Sequence, residues 1–455
     1  MSPPRLSEAA AAIQASVTGE DVALSGFSID TRTLVTGDMY IAIRGDRFDG
    51  HDFIEAAQSQ GASALLVEHT VASDLPQLIV KDTRRALTQL AKFWAGVYPV
   101  PTVAITGSNG KTTIKEMISA ILSKVGPVLY TQGNLNNDIG VPLTLLRLRA
   151  EHQFAVVEMG ANHVGEIAGL TELVEPKVAL ISNIGPAHIE GFGSIDRVAA
   201  AKAEIFQGLT SAGYAVINDN DHFKDFLKEK ANHAHIRTFG NQSHCSVSVS
   251  EDGTELQIGD RKVPLTLQLL GRHNAFNAAA AAAVADILGV EFNTIVSALE
   301  QVPAVPGRLE ATQIAEGITV IDDSYNANPA STAMAIDVLK QFPSQRILIL
   351  GDMLELGPEA EKLHQAVGHG AAADIDKLFS VGGKFCRLAS DAHGRGEHFD
   401  SHEACLEQLQ QQLTVGEATT LLVKGSRGSR MEKIVQGLKK MALTQPVAHV
   451  AGTPS

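Results

Sequence analysis

The sequence predicts an α/β protein of three domains: a small N-terminal α/β domain, a central parallel-sheet domain of the P-loop type, and a C-terminal doubly wound, Rossmann-like domain. Three observations carry that expectation. At 455 residues the chain exceeds what one hydrophobic core supports. Prolines at 99 and 101, and again at 303 and 306, punctuate it into units 1–99, 100–303 and 304–455. Apolar β-prone runs alternate with segments of helical periodicity, most regularly after residue 304, as in parallel sheets covered by helices.

In the first unit, β-prone runs at 39–43, 64–67 and 78–80 alternate with helical patterns at 54–60 and 84–97. Two polar clusters interrupt them. One is Ser28, Asp30 and Arg32. The other is the turn 44–53, with Arg44, Asp49, Gly50 and His51. Each alone reads as a surface loop. Together they offer hydroxyls and arginines to an anionic ligand.

The central unit opens on the stretch around which the chain is organised, A-I-T-G-S-N-G-K-T-T-I-K-E at 104–116. An apolar run at 103–105 predicts a strand. Ile114, Met117, Ile118, Ile121 and Leu122, spaced by three and four, predict a helix. Between them lie Gly107, Ser108, Asn109 and Gly110, then Lys111, Thr112 and Thr113. Strand, glycine loop and helix in that order make a phosphate-binding loop. Glycines let backbone N–H groups turn toward an anion, and the helix N-terminus adds unpaired donors and partial positive charge. Lys111 would reach the outer phosphates of ATP, and the Thr112 hydroxyl would hold the bridging Mg²⁺. The loop is the short form G-x-x-G-K-T, because Ile105 stands where the usual first glycine falls. The plainer alternative is an ordinary β–α turn that happens to end in lysine.

Further along, the loop 132–138 carries Asn134, Asn136 and Asn137, which either bind a polar ligand or build turns. Strands are expected at 154–159, 178–183 and 214–218, with a small antiparallel patch within 244–270. The alanine-rich run 275–288 predicts a buried helix held close to a neighbour. Glu158 and His188 follow different strand ends, where open parallel sheets place ligands. A carboxylate suits Mg²⁺. His188 alone reads as a hydrogen-bonding loop residue, although Asn183 and Glu190 share its loop. Lys202 lies beside an apolar helical face, where a lysine ordinarily extends to water. A phosphate site would give it another use.

The third unit predicts strands at 318–321, 347–350, 377–381 and 420–423, with helices at 330–341, 359–373, 403–412 and 431–441. Its strand ends carry Asp322-Asp323-Ser324-Tyr325, Gly351-Asp352-Met353 and Lys424-Gly425-Ser426-Arg427. The tail from Gln445 is polar and is expected to fray.

Bulk properties narrow the function. The net charge of −14 argues against general nucleic-acid binding. Three cysteines, far apart and without metal-ligand spacing, read as reduced thiols. Ala9 to Ala12 form a patch too short and polar for a signal peptide, and no apolar run reaches membrane-spanning length. A cytoplasmic monomer without membrane insertion is expected.

Five motifs together resemble the Mur ligases, the ATP-dependent amide-forming enzymes of cell-wall precursor synthesis. They are G-S-N-G-K-T-T, G-N-L-N-N-D-I-G-V-P, L-L-G-R-H-N, I-D-D-S-Y-N-A-N-P and G-D-M-L-E-L-G. The last two are most similar to members that add D-alanyl-D-alanine to UDP-N-acetylmuramoyl-tripeptide. The D-N-P-R of members that add diaminopimelate is missing. The resemblance implies that Lys111 and the loop amides hold ATP, and that Thr112 and Glu158 hold a first Mg²⁺. It implies His188 as ligand of a second Mg²⁺, and Lys202 as the lysine that many members carbamylate and use at the metal. Asn274, Asn277, Arg308, Asp323, Tyr325 and Asn326 resemble nucleotide contacts. Ser28, Asp30, Arg32, Arg44, Asp49, Gly50 and His51 resemble a uridine-nucleotide pocket. The resemblance also implies Asn134, Asn136, Asn137 and Asn328 as substrate-binding residues. The third domain is expected to close over the nucleotide. The rivals are a folylpolyglutamate-synthase-like or tripeptide-forming ligase, and a P-loop regulatory ATPase that hydrolyses without an acceptor.

Overall fold

The structure is a computed structural model that describes residues 3–45, 48–187, 189–250 and 253–441. His188, two residues of the 44–53 turn and the polar tail from Gln445 lie outside the described residues. Three separate sheets, of five, nine and six strands, organise the chain.

The first sheet runs in the order Ser16–Thr18, Gln77–Ile79, Ala64–Val67, Asp38–Ile41, Gly26–Ser28. All pairs are parallel except that of Ser16–Thr18 with Gln77–Ile79. The alanine patch near the N-terminus is part of a helix, Leu6–Ile13. Leu6, Ala9, Ala10 and Ile13 recur every three to four residues and are buried. The helix Thr83–Val97 starts where the Asp82 carboxylate accepts from the Arg85 amide at 3.0 Å. Its buried stripe ends in Trp94, whose indole N–H donates to the Leu148 carbonyl at 3.0 Å. That bond fastens the first unit to the second, and the indole is buried with its donor satisfied.

The second sheet places Thr102–Thr106 between Phe154–Glu158 and Val178–Ile181. The register is parallel on both sides, Ile105 opposite Glu158 and Thr106 opposite Ile181. From Thr102–Thr106 the chain moves to the Val128–Tyr130 edge. From Val178–Ile181 it moves the other way, to Tyr214–Asn218 and His235–Gly240. The two strands thus flank a topological switch point, where such sheets leave a crevice. The antiparallel patch expected in 244–270 exists, as Cys245–Ser250, Gly253–Ile258 and Arg261–Pro264. It continues the parallel sheet, through Phe239 opposite Cys245. The alanine helix Arg272–Ile287 buries every residue from Ala278 to Ala285 and packs with Ile114, Met117 and Ile118 of the helix Lys111–Leu122. Small side chains allow that close approach.

The third sheet runs Glu310–Ala315, Ile318–Asp323, Thr419–Lys424, Gln345–Leu350, Lys377–Val381, Gly396–Phe399. The last strand in sequence slots between Ile318–Asp323 and Gln345–Leu350, parallel to both. Only Glu310–Ala315 is antiparallel. Helices lie on both faces and bury two apolar clusters against the sheet.

Candidate active site

Residues beyond the C-terminal strand ends of the second and third sheets line one cleft of about 1300 Å³. The phosphate loop forms one of its walls. Gly110 is the N-cap of Lys111–Leu122 with φ +82°, a left-handed conformation that suits glycine. A Cβ there would lie 2.7 Å from Asn277 Oδ1. The loop is clasped from behind by the residues after Val178–Ile181. Asn183 accepts from the Ser108 amide through its carbonyl (2.9 Å) and from the Asn109 amide through its side chain (3.0 Å). Ser182 Oγ donates to the Asn109 carbonyl at 2.6 Å. The amides of Ser108 and Asn109 are therefore engaged by protein. Those of Gly110, Lys111, Thr112 and Thr113 have no acceptor among the described residues, so the anion-facing donors start at Gly110.

Lys111 Nζ folds back onto the Gly107 carbonyl at 2.7 Å. Burial lowers its pKa; the Glu158 carboxylate opposes this and Arg308 adds to it. An anion in the loop would supply the charge that this lysine otherwise takes only from Glu158. Thr112 Oγ1 donates to Glu158 Oε2 at 2.9 Å and accepts from Arg308 Nη2 at 3.1 Å. Glu158 Oε1 accepts from Asn136 Nδ2 at 2.8 Å. A hydroxyl beside a buried carboxylate is a hard-oxygen pair that fits Mg²⁺, which takes one or two carboxylates and completes its shell with water and phosphate. No group of three His, Cys, Asp or Glu side chains able to hold a metal is found among the described residues. Lys202 lines the same cleft and is 2% exposed. Burial holds its pKa well below the ordinary lysine value, and the nearby Lys111 charge lowers it further. It is buried rather than extended to water.

The third unit reaches over the loop. Asn328 caps the helix Pro329–Leu339, its Oδ1 accepting from the Ser331 amide at 2.8 Å. Its Nδ2 donates to Asn109 Oδ1 at 2.8 Å. The Arg308 guanidinium stacks 4.4 Å above the Tyr325 ring. Asp323 and Lys424 face each other in register on adjacent strands and form a 2.5 Å ion pair. Burial nonetheless raises the Asp323 carboxyl above its usual range. Lys424 also donates to the Asn326 carbonyl at 2.9 Å. Asn277 Nδ2 donates to Asn274 Oδ1 at 2.9 Å, behind Gly110.

The three asparagines of 132–138 divide their work. Asn136 orients Glu158, Asn137 closes a turn by accepting from the Gly140 amide, and Asn134 lines the cleft. The polar clusters of the first unit are elsewhere: none of Ser28, Asp30, Arg32, Arg44, Asp49, Gly50 and His51 lines the cleft. Arg32 pairs with Asp30 at 2.6 Å and Arg44 with Asp49 at 2.9 Å. His51 Nδ1 donates to Asp49 Oδ1 at 2.6 Å while its Nε2 accepts from the Glu68 amide at 2.9 Å. Ser28 Oγ bonds the Asp30 carbonyl, and the Gly50 carbonyl accepts from the Tyr40 hydroxyl. The two arginines meet carboxylates of their own turns.

Residues 105–285 match the Mur ligase middle domain, 307–427 the Mur ligase glutamate ligase domain, and 23–95 the Mur ligase family catalytic domain. The UDP-N-acetylmuramoyl-tripeptide–D-alanyl-D-alanine ligase of Escherichia coli K12 is 45% identical, over 96% of this chain and 98% of that protein. The chain belongs to the Mur ligase family.

Solved Mur ligases share its fold. A crystal structure of MurF from Acinetobacter baumannii superposes with a TM-score of 0.89 at 34% identity, covering 97% of this chain and all (100%) of the other. The MurF ligase of Thermotoga maritima in complex with ADP gives 0.80 at 29% identity, covering 91% and 97%. Within this Mur ligase the cleft also holds residues the sequence reading left out of the site. His273 lines it, with a pKa pushed down to about 4 by burial and by Lys424. It stands inside the L-L-G-R-H-N motif, a signal that was available. Arg84, Asn162, His163, Asn218 and Asn220 line it too, and only their positions near strand or helix ends hinted at that.

Proposed function

We propose that this chain joins D-alanyl-D-alanine to UDP-N-acetylmuramoyl-tripeptide, turning ATP into ADP and phosphate and yielding UDP-N-acetylmuramoyl-pentapeptide. The observation that carries the reading is the aim of the phosphate loop. Four unpaired amides and Lys111 open into a cleft completed by the third unit. The near full-length identity to the Escherichia coli ligase of that name supports the choice of substrates.

The terminal carboxylate of the tripeptide attacks the γ-phosphorus, the bond to the β-phosphate oxygen breaks, and ADP leaves an acyl phosphate. The amine of D-alanyl-D-alanine then attacks the acyl carbon, phosphate departs, and the nitrogen loses a proton. Two anions meet in the first step, so positioning and charge stabilisation supply most of the catalysis. Lys111 would exchange the Gly107 carbonyl for a phosphate oxygen. Mg²⁺, when bound, would offset the repulsion between carboxylate and phosphate. Thr112 and Glu158 would hold it, with Asn136 fixing the carboxylate. His188 is assigned to a second Mg²⁺ by resemblance alone. Lys202 is buried, its pKa held down by burial and by Lys111, which works in the direction that carbamylation needs, and a carbamate there would give Lys111 an anionic neighbour.

The same reading divides the chain into a precursor-binding unit at 1–99, an ATP-binding unit at 100–303 and a C-terminal unit at 304–455. It keeps Asn274, Asn277, Arg308, Asp323, Tyr325 and Asn326 for the nucleotide, Asn134 and Asn328 for the peptide, and the first-unit clusters for the uridine nucleotide. None of the helices of the described residues is long and apolar enough to cross a membrane.

The test is ADP release with UDP-N-acetylmuramoyl-tripeptide against a panel of acceptors. Release should require D-alanyl-D-alanine. Release with glutamate in its place would favour a folylpolyglutamate-type ligase, and release with no acceptor a regulatory ATPase.

A further inference from the structure

The helix Lys111–Leu122 carries a second lysine, this one buried, one turn beyond Lys111. Lys115 is 1% exposed, on the same helix flank by the i, i+4 rule. It does not line the cleft, and nothing in the mechanism above uses it. Burying an ammonium is expensive unless its hydrogens are placed. Here they are placed on one structure. Nζ donates to the Thr131 carbonyl at 2.7 Å, pairs with Glu116 Oε1 at 2.8 Å, and sits 5.6 Å over the Tyr130 ring.

Thr131 is the junction at which the strand Val128–Tyr130 ends and the loop 132–138 begins. It is fully buried, at 0% exposure, and bonded on three sides. Its amide donates to the Val156 carbonyl at 3.0 Å. Its Oγ1 accepts from the Glu158 amide at 2.9 Å. Its carbonyl takes the Lys115 ammonium. Glu158 is held a second time from the same loop, by Asn136 Nδ2, while the Asn136 carbonyl accepts from the Gly160 amide at 2.8 Å. A continuous set of bonds therefore runs from Lys115 through Thr131 to the backbone of Glu158. It ends beside the hydroxyl of Thr112, on the helix from which it started.

We propose that Lys115 is a positioning residue for the metal-facing carboxylate: it anchors Thr131 and so sets where Glu158 meets Thr112. The inference rests on the nucleotide and Mg²⁺ reading given above. Groups that orient a metal ligand without touching the metal typically change metal affinity by about 10–100-fold when removed.

The experiment reads Mg²⁺ through nucleotide binding. ADP affinity is measured by calorimetry with and without Mg²⁺, and the ratio is the gain due to the metal. Wild-type protein must show such a gain; its absence would count against the Mg²⁺ reading itself and not against Lys115. Lys115→Met keeps the apolar stem and removes the donors. It should lose about 10–100-fold of that gain, with Mg²⁺-free ADP affinity unchanged. Thr131→Val keeps the shape, removes the acceptor for the Glu158 amide, and should lose the gain in the same way, so the test survives if Lys115→Met does not fold. Lys115→Arg, which restores a cation, should recover part of it. A purely structural lysine would instead lower the melting temperature and leave the ratio intact. A folded Lys115→Met, or a folded Thr131→Val, with the wild-type ratio overturns the proposal.

Discussion

Asn328 Nδ2 donates to Asn109 Oδ1 across 219 positions of sequence, at 2.8 Å. One asparagine thereby caps a helix of the third unit and grips the phosphate loop of the second. Together with the bond from Arg308 to Thr112, it ties the third unit directly to the loop and to the first turn of its helix.

The two jobs of Asn328 separate by mutation. Asn328→Ala removes cap and tie, and should lower stability by about 0.5–2 kcal/mol, the range for losing an N-cap. Asn328→Ser can still cap but cannot reach Asn109. It should restore the denaturation midpoint and still raise KM for ATP. Equal KM values in both variants and the wild type would show that the tie plays no part in turnover.

Lys111→Ala should lower kcat by about two to three powers of ten, as for the loss of one preorganised charge contact in a transition state. ADP release under saturating substrates checks this. Near-normal turnover would remove Lys111 from the mechanism.

Lys202→Ala should be inactive, and short carboxylates such as acetate should restore part of its activity if a carbamate is the working group. Rescue without carboxylate, or no rescue together with an unmodified lysine mass in the wild type, would contradict the carbamate.

Gly110→Ala places a side chain in the left-handed region and against Asn277 Oδ1. A strain of about 1–2 kcal/mol is expected, with weaker ADP binding because the free amides begin at this residue. An ADP affinity equal to wild type would mean that those amides do not carry the anion.

His364 gives a pH dependence. It is buried, its Nε2 accepting from the Met353 amide (2.9 Å) and its Nδ1 donating to the Ala360 carbonyl (2.7 Å). Burial lowers its pKa from 6.5, against the opposing pull of the Ala360 carbonyl and Asp352. The unfolded chain then binds the proton more readily than the folded one. The stability is complete above 6.5 and is lost as pH falls below it. Melting temperature should drop between about pH 7 and about pH 5, and less so in His364→Gln. Identical slopes for the two proteins would exclude His364 as the group responsible.

The phosphate loop was legible in the sequence because its features are local: an apolar strand, a short glycine turn, and a helix with Ile114, Met117 and Ile118 on one face. Strands at 154–158 and 214–218 were legible for the same reason. The strands Gly26–Ser28, Glu310–Ala315 and Gly396–Phe399 were not, since G-F-S, E-A-T-Q-I-A and G-E-H-F mix polar and small residues and carry no apolar β-prone run. The union of the antiparallel patch with the parallel sheet rests on Phe239 meeting Cys245, a pairing no local pattern announces. In the site, Arg32 and Arg44 are candidates for anion binding by residue type. The folded turns pair them with Asp30 and Asp49 instead. Asn134, Asn136 and Asn137 are alike in sequence and differ by what each side chain happens to reach.

The helix Arg272–Ile287 lies behind the phosphate loop with every side chain from Ala278 to Ala285 sealed from solvent. Methyl groups leave no room to give. A single added methylene at Ala279 or Ala282 would have to be absorbed by shifting the neighbouring helix, whose first turn carries Lys111 and Thr112. The rear of the molecule is thus a place from which the chemistry can be detuned without altering any group that reacts, and random mutation should find it as intolerant as the reaction centre itself.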